Sequence, residues 1–224
     1  MIDVLKHTSE VFNEDCMVGM ARYPDKWFDL AVVDPPYGIG IANTTTGTVI
    51  RNKSDKDTLK IKDWDNSIPD KVYFDELKRI SKEQIIWGGN YFLDILGYCK
   101  APIIWNKKNG GSLYADGEMA WTSKGLPKNL KIWTHQWCGA FKDSERGATK
   151  FHPTQKPVAL YDWIYKNYLP NGGKVIDTHL GSGSNRIAAN KAGNIDFTGF
   201  ELDKDYYEAQ EKRWLGFINQ TRLF

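Results

Sequence analysis

Residues 174–184, Lys-Val-Ile-Asp-Thr-His-Leu-Gly-Ser-Gly-Ser, decide the fold expected for this chain. An apolar run that ends in Asp177 passes into a glycine-rich turn, and residues with helical character follow. In α/β folds that bind nucleotides, such a turn lets the backbone approach a ligand closely. The stretch therefore predicts a buried strand over 174–177, a ligand-binding turn, and a helix over 184–192.

An acid follows this turn at an informative spacing. Glu201 stands about twenty residues beyond Gly181, at the end of a predicted strand over 197–201, and a carboxylate at that spacing takes ribose hydroxyls. The turn lacks the third glycine of the dinucleotide fingerprint, and no partner for a pyrophosphate is evident. We therefore expect an adenosyl ligand without phosphates, S-adenosyl-L-methionine (AdoMet), rather than NAD.

Strand-like and helix-like segments alternate through the rest of the chain, which is typical of an α/β domain with a parallel or mixed sheet. Further strands are predicted over 30–33, 84–87, 102–105, 118–122 and 130–134, and further helices over 70–81, 91–98, 157–168 and 204–218. The 224 residues have the size of one large domain. We expect a single domain over 1–224.

A second motif, Asp34-Pro-Pro-Tyr37, follows the predicted strand over 30–33. The carboxyl ends of strands are where open α/β sheets bind ligands. Because two successive prolines lack amide hydrogens and fix φ, the turn is stiff and offers carbonyl acceptors. Asp34 and the Pro35 carbonyl can accept two N–H bonds from a planar amine while Tyr37 stacks on its face. The turn indicates a site for a nucleobase with an exocyclic amine.

These motifs resemble those of the β group of DNA amino-methyltransferases, which modify adenine at N6 or cytosine at N4. The resemblance covers nearly the whole chain and includes the blocks at 34–37, 83–92, 104–107, 118–123, 152–157, 175–184 and 199–206. It implies an α/β fold with a circularly permuted Rossmann-like methyltransferase sheet. That sheet is mostly parallel, with an antiparallel edge hairpin and helices on both faces.

The resemblance also implies the site residues. Catalysis is expected of Asp34, Pro35, Pro36 and Tyr37. The residues expected to bind AdoMet are Asp34, Thr154, Lys156, Asp177, His179, Gly181, Ser182, Gly183, Glu201 and Leu202. Many relatives have Pro-Phe where this chain has Thr178-His179, so that an imidazole replaces an aromatic contact near the cofactor.

Duplex DNA is the partner that the resemblance implies, with the target base flipped out of the helix. The net charge of +2 neither proves nor excludes DNA binding. Basic residues occur in a polar segment over 38–65, expected to be a mobile loop, and in a short segment over 124–150, where relatives place target recognition. The expected DNA contacts are Arg51, Lys53, Lys107, Lys128 and Lys131.

The expected function is site-specific DNA adenine-N6 methylation, because Asp rather than Ser at the first motif position favours adenine within the family pattern. Cytosine-N4 DNA methylation and a non-catalytic DNA-binding relative are the alternatives. An RNA adenine or a glutamine side chain would present a similar planar amine. A dehydrogenase fits poorly, since no second glycine pair and no hydride-site His–Asp pair stands out.

Composition sets the expected surroundings. The 3 cysteines are widely spaced and form no zinc quartet, which predicts reduced thiols and no metal. No apolar run approaches about 18 residues and the amino terminus lacks an apolar signal region, so neither secretion nor membrane insertion is expected. We expect a cytoplasmic protein encoded by a bacterium or a phage. A homodimer and a cognate restriction endonuclease are partners that the sequence leaves open.

Overall fold

The structure, a computed structural model, describes residues 7–40, 65–110, 115–138, 141–145 and 152–221. Their strands are β1 (Ser9–Phe12), β2 (Phe28–Val33), β3 (Ser81–Trp87), β4 (Ile103–Asn106), β5 (Gly117–Thr122), β6 (Lys131–Thr134), β7 (Trp137–Cys138), β8 (Phe141–Lys142), β9 (Gly173–Asp177) and β10 (Ile195–Phe200). Their α-helices are α1 (Cys16–Met20), α2 (Lys71–Ile80), α3 (Leu93–Leu96), α4 (Val158–Tyr168), α5 (Ser184–Ala192) and α6 (Lys204–Thr221).

Eight strands form one sheet in the order β1-β10-β9-β2-β3-β5-β4-β6. Neighbouring strands are parallel except where β5 pairs with β3 and with β4. The expected α/β class with a mostly parallel sheet is confirmed. The antiparallel pair of β4 and β5 lies near one edge, and β6 adds a parallel strand outside it. Strands β7 and β8 form a separate hairpin.

Helices cover both faces of the sheet, as expected. Leu30 and Val32 of β2 belong to a buried cluster with residues of α4, α5 and α6, while Ala31 and Val33 belong to a second cluster with residues of α1, α2 and α3. Successive side chains of a strand point to opposite faces, so one apolar run supplies both clusters. The sheet is therefore the middle of three layers.

The register of the central strands positions the site. Strands β2 and β9 are parallel neighbours, with Leu30 opposite Val175 and Ala31 opposite Ile176. Their carboxyl ends therefore lie at the same edge of the sheet, although they are far apart in sequence. The Asn185 amide of α5 links these two ends, because its Nδ2 donates to the Val32 carbonyl at 3.1 Å and to Asp177 Oδ2 at 2.9 Å.

Two elements near the amino terminus were absent from the sequence expectation. Strand β1 pairs with β10 at the edge of the sheet, and its residues are partly buried except for Glu10, which is exposed. Helix α1 has five residues, and Asp15 caps it by accepting a hydrogen bond from the Met17 amide at 2.7 Å. Neither Ser-Glu-Val-Phe of β1 nor Cys-Met-Val-Gly-Met of α1 shows a clear periodic pattern of apolar residues.

The helix predicted over 91–98 is shorter in the structure. A 3-10 turn over Gly89–Tyr91 precedes the four-residue helix α3, and Gly97 with φ +75° ends it. Most of the segment expected to be a mobile loop, residues 41–64, lies outside the described residues, as do the predicted DNA contacts Arg51 and Lys53. Within the described ranges, no helix has the length and apolar character that crossing a membrane requires.

Candidate active site

Asp34 comes directly after β2, and both of its carboxylate oxygens have protein partners. Tyr37 OH donates to Oδ1 at 2.5 Å, and Lys156 Nζ forms an ion pair with Oδ2. Lys156 Nζ is also 3.2 Å from Tyr37 OH. The sequence predicted that the turn offers only acceptors and a flat ring to a ligand. The structure shows that two donors, Tyr37 OH and Lys156 Nζ, also contact Asp34. The carboxylate is therefore already oriented by these two contacts.

Asp65 fixes the turn that follows Asp34. Its Oδ1 accepts hydrogen bonds from the Tyr37 amide at 2.7 Å and from the Gly38 amide at 3.0 Å. The Asp65 side chain is buried. These are the first two backbone N–H groups after the two prolines. One carboxylate therefore accepts from both of these donors. Asp65 was not among the predicted site residues, because its 28-residue separation from Tyr37 gives no sequence signal.

The Tyr37 ring has a fixed position. It stacks on the half-exposed Tyr91, with centroids 5.0 Å apart and planes inclined by 17°. Gly88 has φ +69°, and a Cβ at this position would lie 2.1 Å from Tyr37 Cε1. Only glycine therefore fits beneath the ring. The Gly-Gly-Asn-Tyr stretch that follows β3 thus builds the support for Tyr37.

Lys156 connects Asp34 to a second acid. Its Nζ is 3.2 Å from Glu118 Oε2, and Lys107 forms an ion pair with Glu118 Oε1. The Lys156 side chain is only 3% exposed. The four groups form a row of alternating charge, Asp34–Lys156–Glu118–Lys107, which compensates the cost of burying each charge.

Burial and charge act in opposite directions on these acids. Burial raises the pKa of Asp34, and the Lys156 ammonium and the Tyr37 hydroxyl offset this rise only in part. Burial also acts to raise the pKa of Glu118, but Lys156 and Lys107 outweigh it and hold that pKa at about 2. Glu118 is therefore an anion at neutral pH, and Asp34 is the acid of the pair that gains a proton more readily.

The glycine turn after β9 is tied to the end of β10. The Gly181 amide donates to Glu201 Oε2 at 2.8 Å, and the Asp203 amide donates to Glu201 Oε1 at 2.9 Å. Gly181 and Gly183 have φ values of +53° and +72°, which residues other than glycine rarely adopt. The turn thus brings bare backbone and a carboxylate together at the carboxyl ends of two parallel strands.

Arg213 of α6 holds the same turn from the other side. Its guanidinium donates to the Ser182 carbonyl at 2.8 Å and to Ser184 Oγ at 2.9 Å, and it forms an ion pair of 2.6 Å with Glu145. Glu145 Oε2 in turn accepts from the Val158 amide at the start of α4, at 2.9 Å. Sequence reasoning missed Arg213 and Glu145, because a single sequence does not show which distant residues pair.

Asp177 and His179 lie beneath the turn. Asp177 accepts from Asn185 Nδ2 and from the His179 amide, but burial raises the pKa of Asp177 to about 7. Burial also lowers the pKa of His179 to about 4, so the imidazole is neutral near pH 7. The ring of His179 packs edge-on against Tyr73, with centroids 5.4 Å apart. His179 therefore fills a packing position against α2.

One segment, 152–157, reaches both halves of the site. A Cβ at Gly181 would lie 3.3 Å from His152 Nε2, which places His152 beside the glycine turn. Thr154 Oγ1 lies 3.2 Å from His152 Nδ1, and Lys156 contacts Asp34. Segment 152–157 therefore links the Asp34–Tyr37 turn to the glycine turn at the same edge of the sheet.

The basic residues predicted to contact DNA separate into two groups. Lys107 is bound to Glu118, with 17% of its side chain exposed. Lys128 and Lys131 are exposed, and Lys131 begins β6 at the edge of the sheet. Contact of each with DNA stays a prediction, as does DNA contact by Arg51 and Lys53.

The chemistry of the glycine turn and the end of β10 fits an adenosyl ligand. Glu201 lies about twenty residues beyond the glycine turn, the spacing at which a carboxylate binds ribose hydroxyls. Leu202 beside it is 69% exposed, so its apolar side chain is available to a planar base. Among the described residues, no group of His, Cys, Asp and Glu side chains has the arrangement of a metal site.

Comparisons with known proteins also indicate a DNA methylase. A family model for DNA methylases, N6_N4_Mtase, matches residues 28–212. The type II methyltransferase M.HinfI of Haemophilus influenzae is 27% identical over 248 residues, covering 91% of this chain and 67% of that protein. The putative methylase YubD of Escherichia coli K12 is 24% identical over 224 residues, covering 92% and 89%.

Solved structures share the fold. The M1.HpyAVI–SAM complex has a TM-score of 0.56 at 20% identity and covers 92% of this chain and all of that one. The cytosine-N4-specific PvuII DNA methyltransferase has a TM-score of 0.57 at 14% identity, with 92% and 86% covered. TTHA0409, a putative DNA modification methylase of Thermus thermophilus complexed with S-adenosyl-L-methionine, has a TM-score of 0.58 at 17% identity, with 94% of each chain covered.

Proposed function

The chain belongs to the N4/N6 DNA methylase family, and from this premise we propose that it methylates the exocyclic N6 of a specific adenine in duplex DNA. Its methyl donor is AdoMet. The observation that carries the proposal is the Asp34 carboxylate, oriented by Tyr37 and Lys156 at the edge of the sheet where the Gly181–Glu201 turn also lies.

Bound AdoMet supplies an electrophilic methyl group on a sulfonium. The adenine nitrogen forms the new N–C bond as the C–S bond breaks, so positive charge passes from sulfur to nitrogen and one amine proton is then released. An exocyclic amine is a poor nucleophile, because its lone pair is delocalised into the ring. The Asp34 carboxylate and the Pro35 carbonyl accept the amine protons, favour a pyramidal nitrogen and stabilise its developing charge.

Asp34 therefore acts first by orienting the target amine and by stabilising the positive charge that develops on its nitrogen. Its raised pKa also allows it to take the released proton before this proton passes to solvent. Holding donor and acceptor in line contributes much of the acceleration, about 7–11 kcal/mol in favourable systems. The chain itself needs no covalent intermediate for this reaction.

The target base has to leave the duplex to reach Asp34, because an amine inside the stack cannot contact the turn. Tyr37, fixed by Gly88 and Asp34, offers a ring on which the flipped base stacks, a contact worth about 1–3 kcal/mol. Residues 124–150 and the basic residues at 51, 53, 107, 128 and 131 supply DNA contacts in this proposal. A homodimer and a cognate restriction endonuclease remain predictions, as do a cytoplasmic location and a bacterial or phage origin.

Cytosine-N4 methylation is the second candidate. The cytosine-N4-specific PvuII enzyme shares the fold, and both bases present an amine of the same kind. The first motif position, Asp34, is the feature that favours adenine. The test is incubation of the protein with tritiated AdoMet and unmethylated duplex DNA, followed by nucleoside analysis. N6-methyladenine supports the proposal, N4-methylcytosine supports the second candidate, and absence of transfer supports a non-catalytic DNA-binding protein.

A further inference from the structure

Glu118 enters the site from β5, two strands away from β2 in the sheet. Its Oε2 is 3.2 Å from Lys156 Nζ, and the same ammonium forms an ion pair with Asp34 Oδ2. Two carboxylates therefore share one buried ammonium, and only Asp34 belongs to the turn that faces the target amine. Glu118 was part of a family-like sequence block but was not predicted as a site residue.

Sharing matters because the pairing between Asp34 and Lys156 weakens during the proposed reaction. In the structure, Tyr37 OH occupies Oδ1 and Lys156 occupies Oδ2. The target amine donates to this same carboxylate, and the proton released after methyl transfer neutralises it. At both points the Lys156 ammonium loses part of its pairing with Asp34. An ammonium with 3% of its side chain exposed then needs another anion close by.

We propose that Glu118 is a positioning residue for methyl transfer, which holds the Lys156 ammonium while the Asp34 carboxylate engages the target amine. The inference rests on the proposed function. Lys107 supports it from the far side, because its ion pair with Glu118 Oε1 keeps Glu118 in place and ionised. Lys107 Nζ also lies over the Trp105 ring, 4.8 Å from its centroid. The last charged group of the row is therefore packed against an aromatic side chain.

Glu118 also acts on Asp34 through its charge. The negative charge of Glu118 raises the pKa of Asp34 in addition to the effect of burial, whereas Lys156 and Tyr37 lower it. The ionisable groups that couple to Asp34 at longer range are Asp177 of β9, Tyr73 of α2 and Tyr161 of α4. Removal of the Glu118 charge should therefore lower the pKa of Asp34, which a purely structural role would not do.

Glu118→Gln tests the proposal, because glutamine keeps the size of the side chain and removes its charge. We expect kcat to fall about 10- to 100-fold, as it does for residues that hold metal ligands in place, while the AdoMet Kd changes less than about threefold. The acid limb of the kcat–pH profile should move to lower pH. Glu118→Asp keeps the charge and should give an intermediate kcat, with the acid limb near that of the wild type.

Glu76→Gln is the matched control. The Glu76 side chain is 21% exposed, as that of Glu118 is, and it forms an ion pair with Arg79. Arg79 contacts Asp25 and the carbonyls of Met20 and Tyr23, which precede β2. This variant loses an equivalent ion pair at the opposite end of the strands and should keep the wild-type kcat and pH profile.

A second readout does not depend on activity. The Asp34 carboxyl carbon, assigned with Asp34→Asn, is titrated by ¹³C NMR in the wild type and in Glu118→Gln. A lower Asp34 pKa in the variant supports the proposal, and an unchanged or higher one overturns it. An unchanged kcat in Glu118→Gln, or a loss in Glu118→Asp as large as that in Glu118→Gln, also overturns it. Failure of the wild type to methylate DNA contradicts the proposed function instead, and the titration still decides the role of Glu118.

Discussion

The Gly181 amide donates a hydrogen bond of 2.8 Å to Glu201 Oε2, which lies 20 residues further along the chain, and so links the turn after β9 to the end of the parallel strand β10. The turn after β9 and the acid after β10 therefore form one unit rather than two separate contacts. Because the same carboxylate is proposed to accept the ribose hydroxyls, changes at Glu201 affect both the turn and the ligand.

Glu201→Ala should weaken AdoMet binding, because it removes the ribose contact and releases the Gly181 amide. Loss of a hydrogen bond to a charged group costs about 1.5–3 kcal/mol, which corresponds to a roughly 10- to 150-fold higher Kd. Isothermal calorimetry measures this directly. Glu10→Ala, at an exposed position on β1, is the control and should bind AdoMet as the wild type does. Equal affinity in Glu201→Ala would remove Glu201 from the cofactor site.

Arg213→Ala should also weaken AdoMet binding, although Arg213 is not proposed to contact the ligand. Its guanidinium fixes the Ser182 carbonyl and Ser184 Oγ, so its loss loosens the turn. We expect an increase in Kd of about 3- to 10-fold, in line with about 1 kcal/mol for a lost hydrogen bond. Lys212→Ala, at the exposed adjacent position, is the matched control. A Kd for Arg213→Ala that equals the Lys212→Ala value would show that the turn does not depend on α6.

Gly88→Ala should impair capture of the flipped base. Its Cβ would overlap the Tyr37 ring at 2.1 Å, and φ +69° adds backbone strain, so Tyr37 has to move. With 2-aminopurine at the target position, the fluorescence increase that reports base flipping should fall by more than about half, since stacking on Tyr37 is worth roughly 1–3 kcal/mol. Gly216→Ala on α6 meets no atom within 4 Å and serves as the control. Wild-type fluorescence in Gly88→Ala would argue that Tyr37 does not stack the base.

Asp177 should make stability depend on pH. Burial raises its pKa in the folded protein to about 7, above the ordinary value of 3.8. Between these values the folded state binds more protons than the unfolded state, so the contribution to stability is fully present below the ordinary pKa and is lost as pH rises to about 7. Each pKa unit corresponds to about 1.4 kcal/mol, so the loss is of the order of a few kcal/mol.

Urea unfolding at pH 5 and pH 8 measures this contribution. The free energy of unfolding of the wild type should fall between these pH values by more than that of Asp177→Asn, which cannot ionise. Each protein gives a slope of the free energy of unfolding against pH. Comparing the two slopes removes the effects of other groups, including His179, whose lowered pKa acts in both proteins. Parallel slopes would mean that Asp177 is ionised in the folded protein throughout.

The sequence predicts the central strands and the cofactor turn well, because each depends on local pattern. The helix predicted over 184–192 is α5, and the strands before Asp34 and Gly181 lie where the apolar runs placed them. The convergence of the two turns could be predicted from motif order, because open α/β sheets bind ligands at the carboxyl ends of adjacent strands.

The partners of the site residues could not be predicted in the same way. Lys156 meets Asp34 across 122 residues, and Arg213 meets Glu145 across 68. Such pairs depend on where the chain crosses the sheet, which no local pattern encodes. Glu118 lies on the antiparallel strand β5, and the Lys156 ammonium lies between its carboxylate and that of Asp34. The expectation that Lys156 binds the cofactor stays a prediction, beside its observed contact with Asp34.

Asp34→Asn tests the central claim most directly. The variant keeps the shape of the side chain but loses the charge and an acceptor, so methyl transfer to duplex DNA should fall at least about 100-fold. AdoMet binding, measured by calorimetry on the same preparation, should stay largely intact. Wild-type methyl transfer by Asp34→Asn would contradict the assignment of Asp34 as the residue that accepts the target amine.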